Sequence, residues 1–159
     1  EPERLRLLAA GALFHDVGKI GIPDAILMKA GPLTPDERTT MQRHPELGAD
    51  LVGRIRFLED ARNLVLHHHE RFDGRGYPHG LRGQEIPLGA RLFAVADSYD
   101  AMTTPRPYRP ALPAAVAVQQ ILEGRGSQFD PEVVDAFMAL GVEAGGNLTD
   151  PYSGRTGSI

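Results

Sequence analysis

The sequence has no cysteine and no tryptophan. Without cysteine there can be no disulfide framework and no thiolate metal site, so any bound metal must rely on imidazole and carboxylate groups. No apolar run reaches the 18 residues that a membrane-spanning helix needs, and no signal-peptide pattern is visible. The default expectation is therefore a cytoplasmic chain with no membrane segment. A basic excess is also lacking. Against 17 Lys and Arg stand 21 Asp and Glu, a net charge of −4, which argues against a general DNA-coating role. A small anionic ligand needs only a few local cations and stays open. Strand signals are weak. What remains is one ordinary domain of 159 residues, 42% hydrophobic, able to bury a single core. The chain starts at Glu1 without Met, so the expectation is a fragment of something longer.

The pattern predicts helices joined by loops rich in Gly and Pro, an all-α fold. Leu5, Leu8, Ala12 and Leu13 fall at helical spacing over 3–17, with Gly18 as the stop. Residues 19–33 read as a connection with one short turn. Thr34-Pro35-Asp36-Glu37 is a capping box with Pro at the first helical position, opening a second helix that carries Met41, His44, Leu47, Leu51 and Val52. A third helix runs over about 57–70 and ends in His67, His68, His69 and Glu70. Glycines and prolines in 72–88 forbid a helix there. A fourth helix spans about 88–102, a fifth about 113–124, and a sixth is capped by Asp130-Pro131-Glu132 and ended by Gly141. The expected domain covers 1–142, and 143–159 is expected to be a flexible tail.

Six residues stand out as metal ligands: His15, Asp16, His44, His68, His69 and Asp97. An isolated His-Asp pair is weak evidence, because two-letter motifs recur by chance. Its company matters more. His44 follows Asp16 by 28 residues, within a helix of core residues, and Asp97 follows His69 by 28. Asp97 lies in the apolar run Ala94-Val95-Ala96, where an unpaired carboxylate costs several kcal/mol. This sequence context predicts that it is buried. Histidines and aspartates from several helices form the N/O set for iron, manganese, zinc or similar ions. Two such ions about 3.5–4 Å apart clamp an in-line attack at phosphorus. Cations are at hand. Lys19 follows the His-Asp pair, and Arg106 and Arg109 sit in a segment stiffened by Pro105, Pro107 and Pro110. Guanidinium matches phosphate bidentately. After the double histidine comes Asp73-Gly74-Arg75-Gly76-Tyr77-Pro78-His79-Gly80-Leu81, whose glycines let backbone approach a ligand.

These segments together resemble the HD-GYP family, a branch of the HD superfamily of metal-dependent phosphohydrolases. The resemblance runs from about Leu5 to Leu140. It is carried by His15-Asp16-Val17-Gly18-Lys19-Ile20-Gly21-Ile22-Pro23, His44-Pro45-Glu46-Leu47-Gly48, His68-His69-Glu70 with Asp73–Pro78, and Ala96-Asp97 with Arg106-Pro107-Tyr108-Arg109. It implies an HD-domain-like helical bundle that hydrolyses cyclic di-GMP to pGpG and, in some members, GMP; some relatives prefer cyclic GMP-AMP. It implies two or three divalent ions, with iron or manganese expected and zinc, nickel or magnesium compatible. The six ligands above match the family's metal positions. Asp16 and Lys19 are the expected catalytic pair. Lys19, Arg106 and Arg109 match substrate-phosphate positions, and Gly76, Tyr77 and Pro78 form the loop that names the family and places substrate. The implied partners are an upstream regulatory domain, diguanylate cyclase (GGDEF) domains and a second copy in a homodimer. Two departures stand out. No histidine precedes His15, where the family usually has another ligand-bearing helix, so the bundle is expected to lack its first helix. Pro105 stands where Asp often precedes the first arginine. The rival readings are a catalytically weak cyclic-dinucleotide-binding or protein-interaction module, and another HD chemistry such as nucleotide triphosphohydrolysis. The Asp73–Leu81 loop disfavours the latter.

Overall fold

The computed structural model describes residues 2–56, 58–105 and 109–140. Among them the chain is helical and has no strand beyond two isolated bridges, Asp73 with Arg82 and Arg125 with Phe129. Eight α-helices follow in order: α1 Pro2–Phe14, α2 Asp24–Leu27, α3 Pro35–Met41, α4 His44–Val52, α5 Arg62–His67, α6 Leu88–Thr103, α7 Ala114–Glu123 and α8 Pro131–Ala139. Short 3₁₀ turns cover Val17–Gly21, Glu59–Ala61 and Gly83–Glu85. The expected tail and the expected stop at Gly141 lie outside the described residues.

Three elements end earlier than their periodicity predicts. The first helix stops at Phe14 rather than 17, so His15 and Asp16 form a turn. Neighbours on a helix point about 100° apart, and leaving the helix is what lets both serve one site. The expected single helix from Thr34 is two helices, parted at Gln42 and Arg43. Pro45 explains the break. It has no N–H to give to a continuing helix, and its ring would clash with the carbonyl four residues back, whereas near the start of α4 it fits without cost. The third helix ends at His67, and His68 and His69 fall in the turn beyond it. The capping box appears as expected: Thr34 Oγ1 accepts from Glu37 N at 3.3 Å, and Glu37 Oε2 accepts from Thr34 N at 2.7 Å.

The helices gather around two apolar centres. Val52, Leu58 and Val65 form one, with Ala10, Phe14 and Val17 packed against them. Val95, Ile121, Phe129, Val133 and Val134 form the other. Helix α6 belongs to both regions, packing on α1 and α5 at one side and on α7 and α8 at the other. The 3₁₀ turn at Val17–Gly21 lies directly on α4. A Cβ at residue 18 would stand 1.9 Å from the His44 carbonyl oxygen and 2.4 Å from Gly48 N, so only glycine permits that contact. Gly18 therefore brings the His15-Asp16 turn against the start of α4. Its expected role as a helix stop is not the one it plays.

Candidate metal centre and adjoining cavity

Three helix ends build the centre. The last carbonyls of an α-helix have no partner within the helix. Here imidazoles cap them. His15 Nδ1–H donates to Ala12 O at 2.6 Å in the last turn of α1, His44 Nδ1–H to Met41 O at 2.8 Å at the end of α3, and His68 Nδ1–H to Val65 O at 2.7 Å in α5. A neutral imidazole with hydrogen on Nδ1 carries its lone pair on Nε2. His44 and His68 turn their Nε2 atoms toward each other beside one Asp16 oxygen, and His15 turns its Nε2 toward the other. The negative ends of the helix dipoles lie on the same side, which favours a cation.

The distances suit one. His44 Nε2 and His68 Nε2 lie 3.3 Å apart. His44 Nε2 is 3.4 Å from Asp16 Oδ1, and His15 Nε2 is 3.3 Å from Asp16 Oδ2. Two ligand atoms about 2.1 Å from one ion, at 90–110° to each other, stand about 3.0–3.4 Å apart. His44 and His68 present two lone pairs to each other, a repulsive arrangement unless a cation lies between them. One ligand atom from each of Asp16, His44, His68 and His69 falls within 4.8 Å of every other, so this group could hold a metal ion. His15 and Asp97 flank the second Asp16 oxygen, with Asp97 Oδ1 4.0 Å from His15 Nε2. Asp16 thus offers its two oxygens to two different sets of neighbours.

Electrostatics agree with this arrangement. Burial drives His68 down to about 3 and His69 down to about 4, helped by neighbouring imidazoles. Burial likewise lowers His44. All three are neutral at pH 7 and able to bind metal. Burial alone would raise the Asp16 carboxyl, but hydrogen bonds from His15 and Lys19 outweigh it and hold the group well below the usual carboxylate range. His15 is raised, chiefly by its hydrogen bond to Asp16.

Beside the centre opens a cavity of about 290 Å³. Its floor includes His68, His69 and Asp97, and its walls include Arg71, Arg75 and Tyr77, with Gln42 and Gln128 at the sides. The Tyr77 ring stacks on His69 at 4.7 Å and 27°. Burial and the Asp16 charge push its hydroxyl up to about 12, so it stays protonated. Gly76 lies against the chain at 69–71, and a Cβ there would be 2.3 Å from Arg71 N.

Two sequence expectations change here. Asp97 is not buried in an apolar run. Its side chain is 38% exposed, because the helix turns Val95 into the core and Asp97 toward the cavity. Lys19 lies at the centre, its Nζ 2.6 Å from Asp16 Oδ2. Arg109 does not line the cavity. It donates Nη2 to the Ala101 carbonyl of α6, and its Nε is buried with no partner. Arg106 lies outside the described residues. Among the described residues the cavity's guanidinium groups are those of Arg71 and Arg75, and Arg71 donates Nε and Nη2 to the Asp73 carboxylate at 3.1 and 2.8 Å. Arg71 comes two residues after the histidine run but carried no periodic or motif signal. Glu70 was read as a helix end and as part of the His68-His69-Glu70 motif, with no role of its own, yet it is 4% exposed and accepts two backbone N–H groups of the loop.

Fold and centre together define a helical domain of the histidine–aspartate metal-binding class. A family model described as an HD domain matches residues 1–133, and the chain belongs to that family, in its HD-GYP branch. A cyclic di-GMP phosphodiesterase of Vibrio cholerae is 47% identical over 146 residues, 87% of this chain and 30% of that protein. A cyclic di-GMP phosphodiesterase response regulator of Xanthomonas campestris pv. campestris is 46% identical over 138 residues, 86% of this chain and 36% of that protein. The chain spans about a third of the length of these relatives. The crystal structure of a cyclic GMP-AMP specific phosphodiesterase of Vibrio cholerae matches 90% of this chain and 39% of its own, with a TM-score of 0.62 and 22% identity, a likeness of fold. Among the described residues no helix is long and apolar enough to cross a membrane.

Proposed function

We propose that residues 1–142 act as a metal-dependent phosphodiesterase that opens cyclic di-GMP to linear pGpG. One observation carries the reading: His44, His68, His69 and Asp16 bring one ligand atom each to a common point, with His15 on the second Asp16 oxygen, beside a cavity lined by two arginines and a tyrosine. That donor set of imidazole and carboxylate fits iron or manganese, and His15, Asp16, His44, His68, His69 and Asp97 would hold two or three ions. When bound, such ions acidify water and draw charge from phosphoryl oxygens.

The chain's own groups supply the rest. The imidazoles of His44, His68 and His69 are neutral at pH 7, so loading needs no proton expelled from these three. Lys19 holds the Asp16 carboxylate in place and adds a positive charge beside it. The stacked Tyr77 and His69 rings offer a flat apolar face to a purine. Arg75 lines the cavity where it can offset charge on the phosphoryl oxygens, while the Arg71 guanidinium is held by Asp73 and Gln128. Water adds across one P–O3′ bond. The oxygen atom goes to phosphorus and a proton to the departing 3′-oxygen, leaving a 5′-phosphorylated linear dinucleotide. Resemblance alone supports contact of Arg106 and Arg109 with phosphate, a cytoplasmic location, an upstream regulatory domain, GGDEF-domain partners and a homodimer.

The test is chromatography of cyclic di-GMP after incubation with Mn- or Fe(II)-loaded protein, with cyclic GMP-AMP in parallel. Linear pGpG should appear, and Asp16→Ala should lower turnover by about 10³-fold or more while the protein stays folded. Unchanged activity in Asp16→Ala protein that still carries its metal would refute the assignment. Binding of the dinucleotide with no linear product would favour the signalling module instead.

A further inference from the structure

The four residues that close α5 and leave it, His67 to Glu70, alternate in what they face. His68 and His69 turn to the metal centre, while His67 and Glu70 turn to the loop that carries Tyr77. Glu70 Oε1 accepts from His79 N at 2.8 Å and Glu70 Oε2 from Leu81 N at 3.1 Å. His67 Nδ1–H donates to Asn63 O at 2.9 Å, so its Nε2 is the acceptor for His79 Nδ1–H at 3.3 Å. Residue 79 is thus tied at both its backbone and its ring. The loop closes further onto the same stretch through Tyr77 N, which donates to His69 O at 3.3 Å.

A buried carboxylate whose two oxygens each meet a backbone N–H has one obvious structural use: it satisfies donors that the turn would otherwise bury unpaired. Its location gives it a second. Glu70 is one residue from His69, and the Tyr77 ring rests on His69. Fixing 79 and 81 to residue 70 therefore sets where Tyr77 can lie above the metal-facing imidazole.

We propose that Glu70 is a positioning residue for the dinucleotide: by holding the loop at His79 and Leu81 it sets the Tyr77 ring on which a base packs. This inference rests on the proposed function for the identity of the ligand. It differs from that reading in its prediction, which concerns substrate affinity and its dependence on Tyr77.

Glu70→Gln is nearly isosteric but offers one acceptor oxygen in place of two, so one loop N–H loses its partner. In Mn-loaded protein, KM for cyclic di-GMP should rise about tenfold while kcat changes by less than about threefold. Tyr77→Ala should raise KM to a similar degree. The double variant should be no weaker than the worse single one, because both changes remove the same positioned ring. Glu70→Asp keeps two oxygens and should recover part of the affinity. All variants are compared at a temperature where circular dichroism shows each to be folded. An unchanged KM in Glu70→Gln, or losses that multiply to about a hundredfold in the double variant, would overturn the proposal. Should wild-type protein cleave nothing, the proposed function fails. Calorimetric Kd values for cyclic di-GMP then decide this inference: a tenfold weakening in Glu70→Gln upholds it and equal values overturn it. Wild-type protein that neither cleaves nor binds refutes both.

Discussion

A methyl group on residue 18 would collide with three backbone atoms of α4, and none belongs to a side chain that could swing aside. Gly18→Ala should therefore cost about 3 kcal/mol in urea denaturation, at the upper end for overpacking, and should lower metal content by shifting Asp16 away from His44. A stability within about 0.5 kcal/mol of wild type would contradict this packing. Individual candidate ligands were the most legible part of the molecule. In a chain without cysteine, histidines and aspartates at the ends of apolar segments have few other uses, and the six chosen do converge in space. The exposure of Asp97 was not legible, since its sequence neighbours Ala94, Val95 and Ala96 say nothing of a cavity formed by distant segments. Nor was Glu70. Its partners lie 9 and 11 residues away, in a loop whose path no periodicity encodes. Arg71 and Arg75 were missed for the same reason. The Pro-rich stretch drew attention to Arg109, which turns to a helix carbonyl instead.

Helix existence followed from the pattern, and helix ends did not wherever a ligand was needed. Periodicity continues through Met41, His44 and Leu47, yet the chain breaks there; it also runs to Glu70, yet α5 stops at His67. In both places the histidines that leave the helix gain the freedom to cap its carbonyls. Caps were easier, because a capping box is local. Thr34→Ala should remove the Glu37 N–H acceptor and cost about 1 kcal/mol by calorimetry. Metal content and turnover should not change, since α3 reaches the centre only through Met41 O. A Thr34→Ala protein with normal stability would mean that water replaces the cap without loss.

The centre lies where the two apolar cores meet, with His15, Asp16, His44 and His68 on the side of one and Asp97 reaching in from α6. Metal should therefore tie the halves together. Mn at about 100 times its Kd should stabilise the protein by about 2.7 kcal/mol, read as a rise in Tm that Asp16→Ala abolishes. In EDTA-treated protein the histidines control acid stability. His68 and His69 titrate at about 3 and about 4 when folded, against 6.5 when exposed, so below pH 6.5 the unfolded chain takes up protons that the native state refuses. Their contribution is complete above pH 6.5 and is lost as pH falls through the folded values of about 4 and about 3. The Tm of the metal-free protein should drop steadily between pH 7 and 4.5; a flat profile would argue that these rings reach solvent. The acceptors that fix His15, His44 and His68 are carbonyls of the main chain, from Ala12, Met41 and Val65. Replacing those three side chains leaves the oxygens in place. The Nδ1 proton of each of these three imidazoles is thus held by the trace of the backbone, beyond the reach of ordinary point substitution, and only a change that reroutes the chain itself can move it.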